Sequence, residues 1–149
     1  MYAPRPLWLI QNRYKNDSTR IFQKRPVCHQ CGCRADRDTR RIQQSKTGNK
    51  PEHLNAGQRT QGGAIFTLAD LALAAAANSH GTLAFSLSSN ITFLRASGPG
   101  DTLYAEARER YTGRSTGYYQ IDVTDQEGRL IATFESSVFR KKDEVPFTL

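Results

Sequence analysis

The chain has no apolar run long enough to cross a bilayer. Its longest, from about Gly62 to Asn78, covers about 17 residues and carries Asp70 in the middle, which is too short and too polar for a membrane span and suits the core helix of a soluble domain. The first ten residues, MYAPRPLWLI, hold a short apolar patch but neither an h-region of sufficient length nor a small-residue cleavage site, so a cytoplasmic location is expected. Cysteine is scarce as well. All 3 lie in CHQCGC, from Cys28 to Cys33, with no second pair downstream, and thiols in the cytosol stay reduced. A structural zinc site takes four ligands, usually as two separated pairs, so no metal is expected here.

Acidic residues are few in the first third. Residues 1–52 hold 12 Lys or Arg against 4 Asp or Glu, whereas residues 53–149 hold 9 against 10, so the net charge of +7 belongs to the first third alone. No aromatic residue interleaves with Arg34, Arg37, Arg40 and Arg41, and a solvated basic run is expected there with no nucleic-acid partner. Residues 17–50 also lack apolar patterning: Ile21, Phe22, Val27 and Ile42 are their only larger aliphatic or Phe residues, too few to offset the entropy of ordering the segment. Before it, Leu7, Trp8, Leu9 and Ile10 after Pro6 could form a short amphipathic helix within residues 1–16. The chain of 149 residues fits one domain with a sizeable core. We divide it into an atypical basic segment, residues 1–50, expected to be poorly ordered, and a folded domain, residues 51–149.

What is present begins with HLNAGQRTQGGAIFTLADLALAAAANSH, His53 to His80: a polar Gly-containing loop opening into an alanine-dominated helix. Between Gly62 and Asn78 there are seven Ala and three Leu, no Pro and, after Gly63, no Gly, so helix propensity is high. Apolar residues go all the way round, which describes a helix buried on most sides. An ionised Asp inside such a helix costs several kcal/mol of desolvation, roughly, unless it is paired or reaches a pocket, so Asp70 is a candidate for chemistry. The helix N-terminus in front of it offers unpaired N–H groups and partial positive charge, and Gly62 and Gly63 leave those groups uncovered, the outline of an oxyanion hole. The alternative is that the glycines only make a tight turn and that a polar neighbour satisfies Asp70.

After the helix come four strand-like runs, residues 82–95, 102–112, 116–125 and 129–140, separated by GPGD at Gly98–Asp101, by the GRST turn and by the QEG turn at Gln126–Gly128. Alternation puts Leu83, Phe85, Leu87, Ser89, Ile91 and Phe93 on one face of the first run. It puts Leu103, Ala105 and Ala107 together in the second, Tyr119, Ile121 and Val123 in the third, and Leu130, Ala132 and Phe134 in the fourth, opposite Ile131 and Thr133. Antiparallel strands following one long apolar helix predict an α+β domain with a curved sheet wrapped around that helix.

The pattern N-x6-GG-x6-D at Asn55, Gly62, Gly63 and Asp70, continuing into SSNITFLRASGPGDTLYAEA, resembles the PaaI-like acyl-CoA thioesterases of the hotdog superfamily. The likeness covers residues 51–147, and one departure is plain: Gln61 stands where the family usually has His before the two glycines. Gln61 can hydrogen-bond substrate but cannot titrate, so it is given no acid or base role. The resemblance implies the hotdog fold, no cofactor beyond the CoA of an acyl-CoA substrate, and a homodimer, often doubled to a dimer of dimers, with neither nucleic acid nor membrane as partner. It implies further that the Gly62 N–H, with Gly63, holds the thioester carbonyl, that Asn55 helps polarise it, and that Asp70 acts as general base on water or as direct nucleophile. Ser86 stands where a residue would orient that water, with Ser88 as its substitute on the same face, although Ser86 could equally be a small inward strand residue. Arg114, Arg140 and Lys141 stand where cations would meet the CoA phosphates.

The family carries a strand, turn and strand just before the loop, where residues 28–50 show no such pattern. Plausible codons for Cys28 to Lys50 read one base later can give AISVAVELIEIRAGYSKAKLEI, which alternates as two half-buried strands would. The segment therefore also fits a frameshifted version of the first hairpin, which the coding DNA decides. Two other functions stay open: a non-catalytic acyl-CoA binder or inactive product of a frameshifted gene, and, behind it, a basic N-terminal module for zinc or RNA.

Overall fold

The computed structural model describes residues 34–36 and 42–144. The cysteine cluster, the helix expected within residues 1–16 and most of the basic run lie outside the described residues. Six strands form one antiparallel sheet: β1 (Arg34–Asp36), β2 (Ile42–Gly48), β3 (Thr82–Phe93), β4 (Thr102–Thr112), β5 (Thr116–Asp125) and β6 (Leu130–Glu144). Their order across the sheet is β1-β2-β4-β5-β6-β3. Among the described residues one α-helix, α1 (Gly62–Asn78), crosses one face of it, with the bounds that composition predicted. This is the hotdog arrangement. No helix among the described residues is long and apolar enough to cross a membrane.

The helix is held because almost every side of it is apolar. Ile65, Leu68, Ala69, Leu71, Ala72, Leu73, Ala76 and Ala77 are buried, and they meet Leu103, Ala105, Ala107, Tyr119, Ile121, Val123, Ala132 and Phe134 from the sheet in one core. Phe66 and Phe134 pack edge to face, with ring centroids 5.0 Å apart. The one open strip of α1 runs through Gly63, Thr67, Asp70 and Ala74, residues three or four apart and so on one side of a helix. At its far end Asn78 donates from Nδ2 to the Ala74 carbonyl and accepts the Ala84 N–H on Oδ1, tying the helix to the start of β3. Gly81, with φ of 82°, makes the turn between them, a conformation that a side chain would strain.

Three expectations change. Residues 28–50 show no strand, turn and strand pattern in their sequence, yet β1 and β2 pair with each other and β2 pairs with β4 from Ile42↔Arg108 to Gly48↔Thr102. The outer edge of β4 offers a row of backbone N–H and C=O groups, and main-chain pairing requires no alternation of side chains. In β3 the ladder shifts between Ser86 and Ser88. Ala84 and Ser86, opposite Arg140 and Val138, therefore share the helix side with Ser89, Ile91 and Phe93, while Phe85 and Ser88, opposite Phe139 and Ser137, lie on the outer side. Ser86 and Ser88 thus do not face the same way, and Phe85 does not join Ile91. In β6 a second shift, between Val123 and Thr124 of the partner strand, lets Ile131 enter the core beside Ala132 instead of opposing it.

Candidate active site

The loop that leads into α1 is fastened at its base. A single 3-10 turn, Pro51–His53, precedes it; the Lys50 N–H donates to His53 Nδ1 and the Gln61 N–H donates to the His53 carbonyl at 2.8 Å. Leu54 and Thr60 form an isolated bridge, and the Thr60 N–H donates to the Ser97 carbonyl. Asn49 Nδ2 donates to Thr60 Oγ1 and the Gly98 carbonyl, while Ser97 Oγ donates to Thr60 Oγ1 at 2.7 Å. Asn49, Thr60 and Ser97 thus bind the loop to the β3–β4 connection. Sequence reasoning missed them, since lone Asn, Thr and Ser residues give no periodic signal.

Within that frame Asn55 is oriented without ambiguity. Its Oδ1 accepts the N–H groups of Gly57 and Arg59 at 2.9 and 3.1 Å, so the amide NH2 is the end turned outward as a donor. Gln61 is the N-cap residue but makes no side-chain cap bond. Its carbonyl accepts from Ala64 and Ile65, which leaves the N–H groups of Gly62 and Gly63 without an acceptor among the described residues. Two adjacent, unpaired donors at the positive end of a helix dipole are a site for an oxyanion. The tip of the Phe93 ring lies against Gly62: a Cβ added there would stand 3.0 Å from Cζ.

Asp70 lies on the open strip of α1, half-buried, and makes no hydrogen bond or ion pair among the described residues. Burial pushes its carboxyl above the ordinary range. A carboxylate that is partly desolvated and unpaired is more basic than one in water, as a general base should be. Ser86 is exposed and on the helix side of the edge strand, whereas Ser88 lies on the other side of the sheet.

The three proposed phosphate cations separate. Arg114 is exposed in the turn between β4 and β5. Lys141 is exposed, with its Nζ 5.5 Å from the Phe85 ring centroid and 4.0 Å from Asp143. Arg140 is 8% exposed and is committed inward: Nη2 donates to Tyr119 Oη at 2.8 Å and to Glu109 Oε2 at 3.2 Å, and Nη1 donates to Thr112 Oγ1 and the Gly113 and Thr116 carbonyls. A guanidinium spent on five internal acceptors is not positioned for a phosphate in solvent, so Arg140 leaves the candidate CoA site.

The chain matches the family model described as "Thioesterase superfamily" over residues 60–132. Over 87 residues it is 41% identical to the acyl-coenzyme A thioesterase PaaI of Escherichia coli, covering 58% of this chain and 62% of that one. The curated relatives it matches are spanned over 62–64% of their length. Among solved structures, the E. coli PaaI protein of the phenylacetic acid degradation operon superposes with a TM-score of 0.83 at 28% identity, over 90% of this chain and 97% of that one. A Thermus thermophilus protein is 30% identical with a TM-score of 0.75, over 79% of this chain and 99% of that one. A Streptococcus mutans protein solved with acetyl CoA is 27% identical with a TM-score of 0.71, over 74% and 90% of the two chains. With that extent of agreement along a helix, a loop and a sheet that share one geometry, the chain has the fold of the PaaI protein, and its residues 60–132 match the thioesterase superfamily.

Proposed function

We propose that the protein hydrolyses an acyl-CoA thioester to the free acid and CoA. The observation that carries this is the pair of unpaired N–H groups at Gly62 and Gly63 on the same helix as an unpaired, partly buried Asp70. The named relative that acts on acyl-coenzyme A and the neighbour solved with acetyl CoA supply the substrate class. Gly62 and Asp70 are eight positions apart, about 12 Å along a helix, so one thioester carbon does not reach both within one subunit. Two subunits with antiparallel central helices bring the N-terminus of one beside Asp70 of the other and make two composite sites. The open strip of small residues around Asp70 and the edge of β3, which has no strand beside it among the described residues, favour such a homodimer, and a dimer of dimers is compatible with it. No cofactor, nucleic acid or membrane enters this reading, and its setting is the cytoplasm.

The carbonyl oxygen accepts from the Gly62 and Gly63 N–H groups and from the Asn55 amide, which polarises the carbonyl carbon. Asp70 of the partner subunit takes a proton from water as that water attacks, and Ser86 on the edge strand orients it. The C–S bond breaks, and the coenzyme A thiolate leaves and is protonated. Arg114 and Lys141 attract the CoA phosphates at the sheet's end. Thiol release from acetyl-, hexanoyl- and phenylacetyl-CoA by the purified chain is the test, and turnover of none of the three would falsify the proposal.

Gly62→Val tests the oxyanion donors separately from the fold. The branched side chain meets Phe93 and crowds the N–H, and loss of one such donor costs about a hundredfold in kcat. Far-UV circular dichroism should retain the helix signal. Unaltered kcat would reduce Gly62 to a turn residue.

A further inference from the structure

Phe93 is a large apolar side chain that the proposed chemistry does not use, and it touches the residue that chemistry needs most. It ends β3 opposite Ala132, so its ring lies on the helix side of the sheet. A Cβ at Gly62 would lie 3.0 Å from Cζ, 3.4 Å from Cε2 and 3.5 Å from Cε1, so the tip of the ring meets the helix N-terminus. The backbone beyond it is pinned, because the N–H groups of Leu94 and Arg95 both donate to the Ile131 carbonyl, at 2.8 and 3.1 Å. Even so, 51% of Phe93 is exposed. The uncovered part of the ring therefore flanks two N–H donors that have no acceptor among the described residues, and an apolar surface beside convergent donors is how small-molecule sites are built.

We infer that Phe93 is a specificity-determining residue: its ring walls the Gly62 side of the oxyanion site and makes the first apolar contact with the acyl group beyond its carbonyl carbon. The inference rests on thioester hydrolysis at this helix N-terminus. An acyl chain held with its oxygen on Gly62 and Gly63 must leave the site past that ring or away from it. Acyl groups with apolar bulk at the second or third carbon gain contact with the ring, while the methyl of an acetyl group offers little. The glycine at 62 is required for the ring to come so close, which links selectivity and oxyanion binding at one position.

The experiment compares kcat/KM for phenylacetyl-CoA and acetyl-CoA in the wild type, Phe93→Ala and Phe93→Leu. The phenylacetyl-to-acetyl ratio is expected to fall about tenfold in Phe93→Ala and by less in Phe93→Leu, which keeps apolar bulk without the ring. Adding Gly62→Ala to Phe93→Ala should shift the ratio no further, because the new methyl no longer meets a ring. A ratio unmoved by Phe93→Ala, or equal losses on both substrates, overturns the inference while leaving thioester hydrolysis in place. A wild-type chain that cleaves neither substrate overturns the hydrolysis reading and this inference with it. Should Phe93→Ala fail to fold by thermal melting, the Phe93→Leu ratio decides alone, and no change in it overturns the inference.

Discussion

Asp70→Asn lowers turnover of an acyl-CoA by about a hundredfold or more while making the protein more stable at neutral pH. The first half follows from chemistry: an amide cannot take the proton from water, and general-base assistance is worth roughly 10²–10⁴ in rate. The second half follows from burial. Desolvation raises the Asp70 pKa in the folded chain, so the protonated form is the one that the fold favours. For a carboxyl whose folded pKa lies above its unfolded value of about 3.9, the stabilising contribution is present below that unfolded value and is lost as pH rises through the folded pKa. At pH 7 the wild type therefore carries a penalty that Asn, nearly isosteric and neutral, does not. The melting temperature of Asp70→Asn should exceed that of the wild type at pH 7, and the gap should close near pH 3.5. In the wild type kcat/KM should fall as pH drops through the raised pKa of Asp70. Near-normal turnover in Asp70→Asn would remove Asp70 from the mechanism, and a lower melting temperature at pH 7 would mean that a partner group stabilises its charge.

The helix and its loop were legible because they rest on local chemistry. Seven alanines without a break set the bounds of α1, and two glycines at its start expose the N–H groups. The faces of β4 and β5 were legible for the same reason, since Leu103, Ala105, Ala107, Tyr119, Ile121 and Val123 keep strict alternation into the core. Alternation fails where a strand carries an extra residue. The shifts at Ser86/Ser88 and at Ile131 leave no residue type as a marker, so the facing of Phe85, Ser88 and Ile131 could not be read from the chain. Long-range polar contacts were equally hidden. Asn49 meets Gly98 across 49 positions, and nothing near either residue announces it. That Phe93 shares a face with Ile91 was legible, but its contact with Gly62 depends on how strand and helix end against each other in space. The pairing of β2 with β4 is a main-chain property, and the polar composition of residues 42–48 concealed it.

Arg140→Met should destabilise the protein by about 3 kcal/mol, the cost of leaving an ion partner buried without its counter-charge. For a chain of this length that corresponds to a melting temperature lower by roughly 6–12 °C. The group left behind is Glu109, whose carboxylate also accepts from Tyr119 Oη at 2.6 Å and pairs with His80 at the end of α1. Burial alone pushes the Glu109 carboxyl up, but the hydrogen bonds from Tyr119 and His80, with the charges of His80 and Arg140, outweigh it and hold it below the ordinary range. A depressed carboxyl contributes stability that is present above its unfolded pKa of about 4.3 and is lost as pH falls through the folded value. Removing Arg140 takes away part of that, so the deficit of Arg140→Met should be largest near pH 7 and shrink as the buffer is made acid. Adding Glu109→Gln to Arg140→Met should recover part of the loss, since the uncompensated charge is then gone. The same variant settles whether Arg140 meets substrate. A guanidinium on a CoA phosphate would raise KM when removed, whereas one enclosed by Glu109, Tyr119 and Thr112 leaves KM within about twofold, measured well below the melting temperature. A KM raised tenfold with unchanged melting would return Arg140 to the CoA site and overturn the buried ion-pair account.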